Sequence, residues 1–209
     1  HVTWQHAEAP ASAQQEAAWL LQQPVIDHVY GAPEPADAQG RERFEATFSR
    51  GYLAHASISP SCGLAQYENG HLTVWTHCQG VFPLRAALAR TLKLDPSAIT
   101  VHHVQGSGCY GHNGADDAAA DAALVARAVP GKPVRVQWMR HEETAWDTKG
   151  PAYNFKLRGA LDADGNVTAL EYDARAVDYN HLGYNEPDTV LIAQLMGKRR
   201  EKPSPGGSL

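Results

Sequence analysis

The stretch Gly106-Ser107-Gly108-Cys109-Tyr110-Gly111-His112-Asn113-Gly114 constrains this chain more than any other. Before it, Ile99 to Val104 reads as a strand. After it, Asp116 to Val129 is an alanine-rich run with helical spacing. A glycine-rich turn between a strand and a helix lets a ligand approach the backbone, because glycine carries no Cβ. A helix N-terminus behind such a turn favours anions. The segment therefore points to something phosphate-bearing.

The remaining pattern is α+β, a mixed β-sheet with covering helices. Gln14 to Gln23 has helical spacing and is closed by Pro24. Phe44 to Phe48, Tyr52 to Ile58, Gly63 to Tyr67 and Leu72 to Thr76 are short strand candidates, the last two joined by Asn69-Gly70, a hairpin signal. Pro83 to Leu94 places Leu84, Ala87, Leu88 and Leu92 on one helical face. Val134 to Trp138 is a further strand. Asn154 to Leu161 and Val167 to Ala176 flank Asp162-Ala163-Asp164-Gly165 as a second hairpin. His1 to His6 reads as a short strand and Asp188 to Arg199 as a helix. The organisation expected is a connector and helix over 1–40, a module over 41–183, and a helix with a frayed tail over 184–209.

Composition narrows the partners. Among 209 residues, 23 Asp plus Glu against 18 Lys plus Arg argue against non-specific nucleic-acid binding. No apolar run approaches the ~20 residues of a membrane span. The chain opens on His1 without a visible leader, which reads as a processed chain, a cut piece or an internal piece. Cys62, Cys78 and Cys109 are too few and too scattered for a disulfide framework.

Several residues invite chemistry. Gly106, Gly108 and Gly111 match G-x-G-x-x-G, but the acidic residue that a dinucleotide site wants ~20 residues on is absent. That position holds Val129-Pro130-Gly131. His77-Cys78, His102-His103 and Cys109-x-x-His112 offer zinc-type ligands without a recognised paired spacing. His102 and His103 alternate on a strand, so only one could easily join Cys109; the expectation is no protein-ligated metal. No G-x-S-x-G elbow accompanies Ser61 or Ser107. Arg140-His141-Glu142-Glu143 at a strand end reads equally as a solvated turn or as a cluster reaching a ligand.

Three segments in order resemble a known family. They are Tyr52-Leu53-Ala54-His55-Ala56-Ser57-Ile58-Ser59-Pro60-Ser61-Cys62, then Val74-Trp75-Thr76-His77-Cys78-Gln79-Gly80-Val81-Phe82-Pro83-Leu84-Arg85, then Gly106 to Leu124. With Val134 to Glu143, they resemble the large, molybdenum-binding subunit of the xanthine dehydrogenase and aldehyde oxidase family. The nicotinate dehydrogenase and isoquinoline 1-oxidoreductase branch is the nearest in pattern. The resemblance covers about Phe48 to Tyr172.

It implies a first molybdopterin-binding module, with molybdopterin as cofactor. It also implies iron–sulfur clusters on a partner subunit and, often, a cytochrome c subunit. Gln79 falls on the glutamine that hydrogen-bonds an oxygen ligand of molybdenum. Gly108, Cys109, Tyr110 and Gly111 fall on the loop lining the pterin and metal, with tyrosine in place of phenylalanine. Arg85 falls on an arginine expected to be structural. The metal would be held by the pterin's dithiolene, not by protein ligands. Ser59 stands where relatives carry glutamate, and Lys149 near where purine-oxidising members carry arginine. The segment with the general-base glutamate has no counterpart here, so no catalytic residue is assigned and the remainder of a large subunit is expected as partner. The implied reaction is hydroxylation of an aldehyde or N-heterocycle with oxygen from water. A scaffold that kept the fold without the cofactor, and a nucleotide-cofactor oxidoreductase, are the rival readings. The resemblance fits a bacterial periplasm or cytoplasm and leans to the former.

Overall fold

The elements follow from where the chain alternates and where it turns. In the computed structural model, which describes residues 13–25, 42–111 and 117–176, they run α1 Ala13–Leu21, β1 Glu42–Arg50, β2 Cys62–Glu68, β3 His71–Thr76, α2 Val81–Leu92, β4 Ile99–His103, α3 Asp117–Ala128, β5 Pro133–Gln137, α4 Arg140–Trp146, β6 Tyr153–Leu161 and β7 Val167–Ala176. The fold is α+β, with mixed and antiparallel sheets covered by helices. The expected strand His1 to His6, the helix Asp188 to Arg199 and most of the 1–40 connector lie outside the described residues. The chain divides into two units, 1–53 with 151–178 and 54–150 with 179–209.

The first unit holds a three-stranded antiparallel sheet in the order β1-β6-β7. The Asp162 carboxylate forms its turn, accepting from the Asp164 and Asn166 amides at 3.0 and 2.9 Å. Gly165 follows with φ of 84°, a conformation that glycine adopts without strain. Register places Phe48 opposite Phe155 and Leu157 opposite Tyr172, so an aromatic stripe lines one face. Phe155 stacks on Phe48 at 5.1 Å and meets Tyr172 at 5.6 Å. Helix α1 docks through side chains of the opposite face: Asn154 donates to the Ala17 carbonyl at 3.3 Å and Arg175 to the Leu21 carbonyl at 3.1 Å. A cation on the final carbonyl of a helix also suits the helix dipole.

The second unit holds a four-stranded mixed sheet in the order β4-β3-β2-β5. Asn69 and Gly70, with φ of 50° and 81°, form the two-residue turn between β2 and β3. Both central residues at positive φ match the right-handed twist of the flanking strands. β3 and β4 run parallel, joined by α2; β2 is antiparallel to both β3 and β5. Helix α2 ends on Lys93 in the left-handed region, with the Leu94 amide bonded to the Ala89 carbonyl at 3.0 Å.

The core lies between this sheet and helices α2 and α3. Ala65, Leu72, Val74 and Ile99 from the strands meet Leu84, Leu88 and Leu92 of α2, and Ala119, Ala122, Ala123 and Ala126 of α3. The alanine face of α3 allows unusually close approach. A Cβ on Gly63 of β2 would sit 2.5 Å from the Ala119 Cα.

Two local expectations are corrected. Tyr52 to Ile58 is not a strand, despite its alternation. Arg140 instead holds the Ser57 and Ile58 carbonyls at 2.7 and 2.8 Å, so those groups serve no ladder. Ala56 at φ of 50° also breaks the extended run. Arg140 to Glu143 is not a turn but the first turn of α4. Glu142 caps it by accepting from the Met139 amide at 2.7 Å.

Candidate functional site

Strand polarity decides where the singled-out residues meet. β3, β4 and β5 point the same way, and β2 starts where they end. The carboxyl ends of β3, β4 and β5 therefore share one sheet edge with the segment entering β2. In sheets with parallel neighbours, ligands bind outside the carboxyl ends of the strands. Gln79 follows β3 at that edge, and Gly106 to Gly111 follows β4, the adjacent parallel strand.

Three ties hold the two segments together. The Val104 amide donates to the Thr76 carbonyl at 2.9 Å. His103 Nδ1 donates to the Cys78 carbonyl at 2.9 Å. Gly106 lies so close to His77 that a Cβ there would sit 2.7 Å from the His77 Cβ. Gly106 is thus required by contact. Cys78 is buried and Gln79, one residue on, is exposed at the edge.

The loop itself is an unusual backbone. Gly108, Tyr110 and Gly111 have φ of 113°, 52° and 99°, while Cys109 between them does not enter the positive region. A bulky residue at positive φ costs about 1 kcal/mol or more, and such strain collects at ligand sites. The Tyr110 ring folds back over Gly108, where a Cβ would lie 3.0 Å from it, yet the residue stays largely exposed. Cys109 is a half-buried free thiol. His112 lies outside the described residues.

A bracket from the β2 entry segment supports the loop. The Ile58 amide donates to the Ser107 carbonyl at 3.1 Å, and the Ser59 amide to Ser107 Oγ at 3.0 Å. That segment is in turn fastened to α4. Arg140 holds Ser57 and Ile58, and the buried Glu143 carboxylate accepts from the Ser61 amide. The Arg140 to Glu143 cluster is thus spent on bracing the loop's support. Sequence reasoning missed this role; Glu142 as helix cap and Glu143 one residue on, turned inward, were the signal available.

The metal-type residues disperse. His102 stacks on Trp75 with ring centroids 5.6 Å apart, while its neighbour His103 turns to the other side and bonds Cys78. Among the described residues no group of three or more His, Cys, Asp or Glu could hold a metal ion. Arg85 lies over the Phe82 ring at 5.9 Å. The dinucleotide reading fails on topology, because the antiparallel β2 sits between β3 and β5 where a doubly wound sheet would be parallel.

Comparison with known proteins identifies the family and the fold. A nicotinate dehydrogenase subunit of Pseudomonas putida is 40% identical over 152 residues, 73% of this chain and 13% of that protein. The aldehyde oxidoreductase molybdenum-binding subunit PaoC of Escherichia coli is 30% identical over 150 residues, 71% of this chain and 20% of that protein. The chain thus spans a fifth or less of the length of these relatives. Among solved structures, quinoline 2-oxidoreductase of Pseudomonas putida superposes with a TM-score of 0.57 at 25% identity, over 64% of this chain and 17% of that one. Aldehyde oxidoreductase of Desulfovibrio gigas shares the fold, with a TM-score of 0.63 at 20% identity, over 80% of this chain and 20% of that one. The sequence pattern of the molybdopterin cofactor-binding domain matches residues 19–197. That span is most of the chain, and this protein belongs to the molybdopterin cofactor-binding domain family.

Proposed function

We propose that this chain supplies one molybdopterin-binding module to a molybdenum hydroxylase that oxidises an aldehyde or an N-heterocycle with oxygen from water. The observation that carries the reading is the convergence of Gln79 and the Gly108 to Gly111 loop at the carboxyl ends of two adjacent parallel strands. The module over 41–183 contains both sheets. Its partners are the remainder of a large subunit, an iron–sulfur subunit and, as in some members, a cytochrome c; its compartment is a bacterial periplasm or cytoplasm, with the resemblance leaning to the former.

The residues suit the group. A pterin phosphate and a metal oxo face need hydrogen-bond donors and close backbone approach. The loop supplies amides unshielded by a Cβ at Gly108 and Gly111, and Gln79 supplies a side-chain amide. Gln79 would hold an oxygen ligand by donating to it. Cys109 and Tyr110 would wall the loop, Tyr110 presenting an exposed ring. When bound, the cofactor supplies the two-electron redox chemistry, and the protein positions it and tunes its ligands. Exposed Ile58, Phe82, Tyr110 and Met139 all lie in segments at this edge, apolar surface that a bound cofactor and further protein would cover.

The test is elemental molybdenum together with fluorescence of the released, oxidised pterin, measured on native protein with its co-purifying chains. Near-stoichiometric amounts of both are expected. Intact protein with neither would replace this reading by a scaffold that kept the fold.

A further inference from the structure

Sequence resemblance draws attention to the loop and to Gln79, but not to what shapes the loop from behind. His55 lies in the segment that enters β2. Its imidazole edge reaches the turn at Gly111, where a Cβ would sit 3.5 Å from both Cδ2 and Nε2. The opposite side of the same ring faces Asp147, with Nδ1 3.6 Å from Oδ2. The two side chains are only 15% and 1% exposed, so this contact is made inside the protein. Asp147 is rigidly placed: it closes α4, its amide donating to the Glu143 carbonyl at 2.8 Å, and Lys149 Nζ stands 3.9 Å from its carboxylate.

We propose that His55, held against the buried Asp147, is a positioning residue that sets the shape of the Gly108 to Gly111 turn. The inference rests on the cofactor reading for its purpose, though not for its geometry. Gly111 at φ of 99° has no side chain to anchor it, so the turn takes its position from what it leans on. On this side it leans on an imidazole whose far nitrogen faces a buried carboxylate. A buried carboxylate facing the ring at 3.6 Å favours one orientation of the imidazole through charge and packing. The support runs from α4 through Asp147 and His55 to Gly111, in parallel with the Ser107 bracket.

Cys109 lies inside the turn and makes a local reporter. The rate at which iodoacetamide alkylates each cysteine of the native protein, with its accompanying chains, is followed by peptide mass spectrometry. Cys62, held in the ladder opposite Gln137, is the internal control. His55→Ala removes the imidazole packed beside Gly111, so Cys109 is expected to react about threefold faster or more, with Cys62 unchanged. His55→Gln, which keeps the reach and an N–H, should recover most of the wild-type rate. An unchanged Cys109 rate in His55→Ala, or His55→Gln as fast as His55→Ala, would overturn the proposal. If His55→Ala melts the unit, the buried Cys78 becomes reactive; the nearly isosteric Asp147→Asn then takes its place, with the same expectation and the same refutation. Released pterin is measured alongside. A responsive Cys109 in protein without pterin would uphold the positioning role and remove the cofactor reading. An indifferent Cys109 in protein with pterin would do the reverse.

Discussion

Replacing Gly63 with alanine tests how the second unit is held together. Gly63 lies mid-sheet on β2 and faces α3. The floor of ordinary contact is 3.4 Å, whereas the new Cβ would sit 2.5 Å from the Ala119 Cα, 2.8 Å from its nitrogen and 2.9 Å from the Ala118 carbonyl oxygen. These are backbone atoms, so no side chain can rotate aside. Helix α3 has to retreat by about 0.9 Å along the face carrying Ala119, Ala122, Ala123 and Ala126, all fully buried. A gap of that width forfeits about a quarter to a half of each dispersion contact, and overpacking of this kind costs about 2–3 kcal/mol. Loss of glycine's freedom in the unfolded chain returns about 0.5–1 kcal/mol. The net is about 2 kcal/mol, or roughly 4–8 °C in Tm for a chain of this size. Gly131→Ala is the control. Gly131 has nothing within 4 Å, but its φ is +80°, so its penalty is conformational alone, about 1 kcal/mol. Urea unfolding followed by circular dichroism measures both. Gly63→Ala as stable as wild type, or less costly than Gly131→Ala, would show that α3 is not seated on β2 by this contact.

Other expectations concern charge and function. Burial raises the Asp121 pKa, against a smaller lowering by the Trp138 indole, which donates to its carboxylate at 3.3 Å. A carboxyl group whose folded pKa is raised favours the fold fully below its unfolded pKa and loses that contribution as pH rises through the folded value. Asp121→Asn should therefore raise Tm at neutral pH, with the gain vanishing below the ordinary carboxylate pKa of 3.8; a gain that persists there would contradict the assignment. Gln79→Ala, at an exposed position, should leave stability within about 0.5 kcal/mol of wild type. If Gln79 holds a metal oxygen, the variant should lower the activity of the assembled enzyme about 10–100-fold, the usual weight of an outer partner to a metal ligand; equal loss of Tm and activity would point to folding instead. A polypeptide of these 209 residues alone should give no dye-coupled oxidation of aldehydes or N-heterocycles, and robust turnover would place the general base within it.

Much of the architecture is set by short-range chemistry and could be read from residues alone. Asn69-Gly70 can turn only as a tight hairpin, and Asp162 to Gly165 carries its own carboxylate cap. The alanines from Ala118 to Ala126 announce a helix that comes close to something, and Leu84, Leu88 and Leu92 announce a face. The glycine loop was legible because positive φ at Gly108 and Gly111 demands glycine wherever the chain goes. Tertiary contacts decided the rest. Tyr52 to Ile58 alternates like a strand, but its carbonyls at Ser57 and Ile58 are taken by Arg140, more than eighty residues away in sequence. Arg140 to Trp146 is too short to show a period, and it forms a helix because Glu142 caps it and Glu143 is drawn inward to the Ser61 amide. The parallel pairing of β3 with β4, which sets Gln79 beside the loop, and the meeting of His55, Gly111 and Asp147 depend on where strands settle in a sheet. Pairing partners are chosen by burial summed over the whole core, and no local pattern carries that sum.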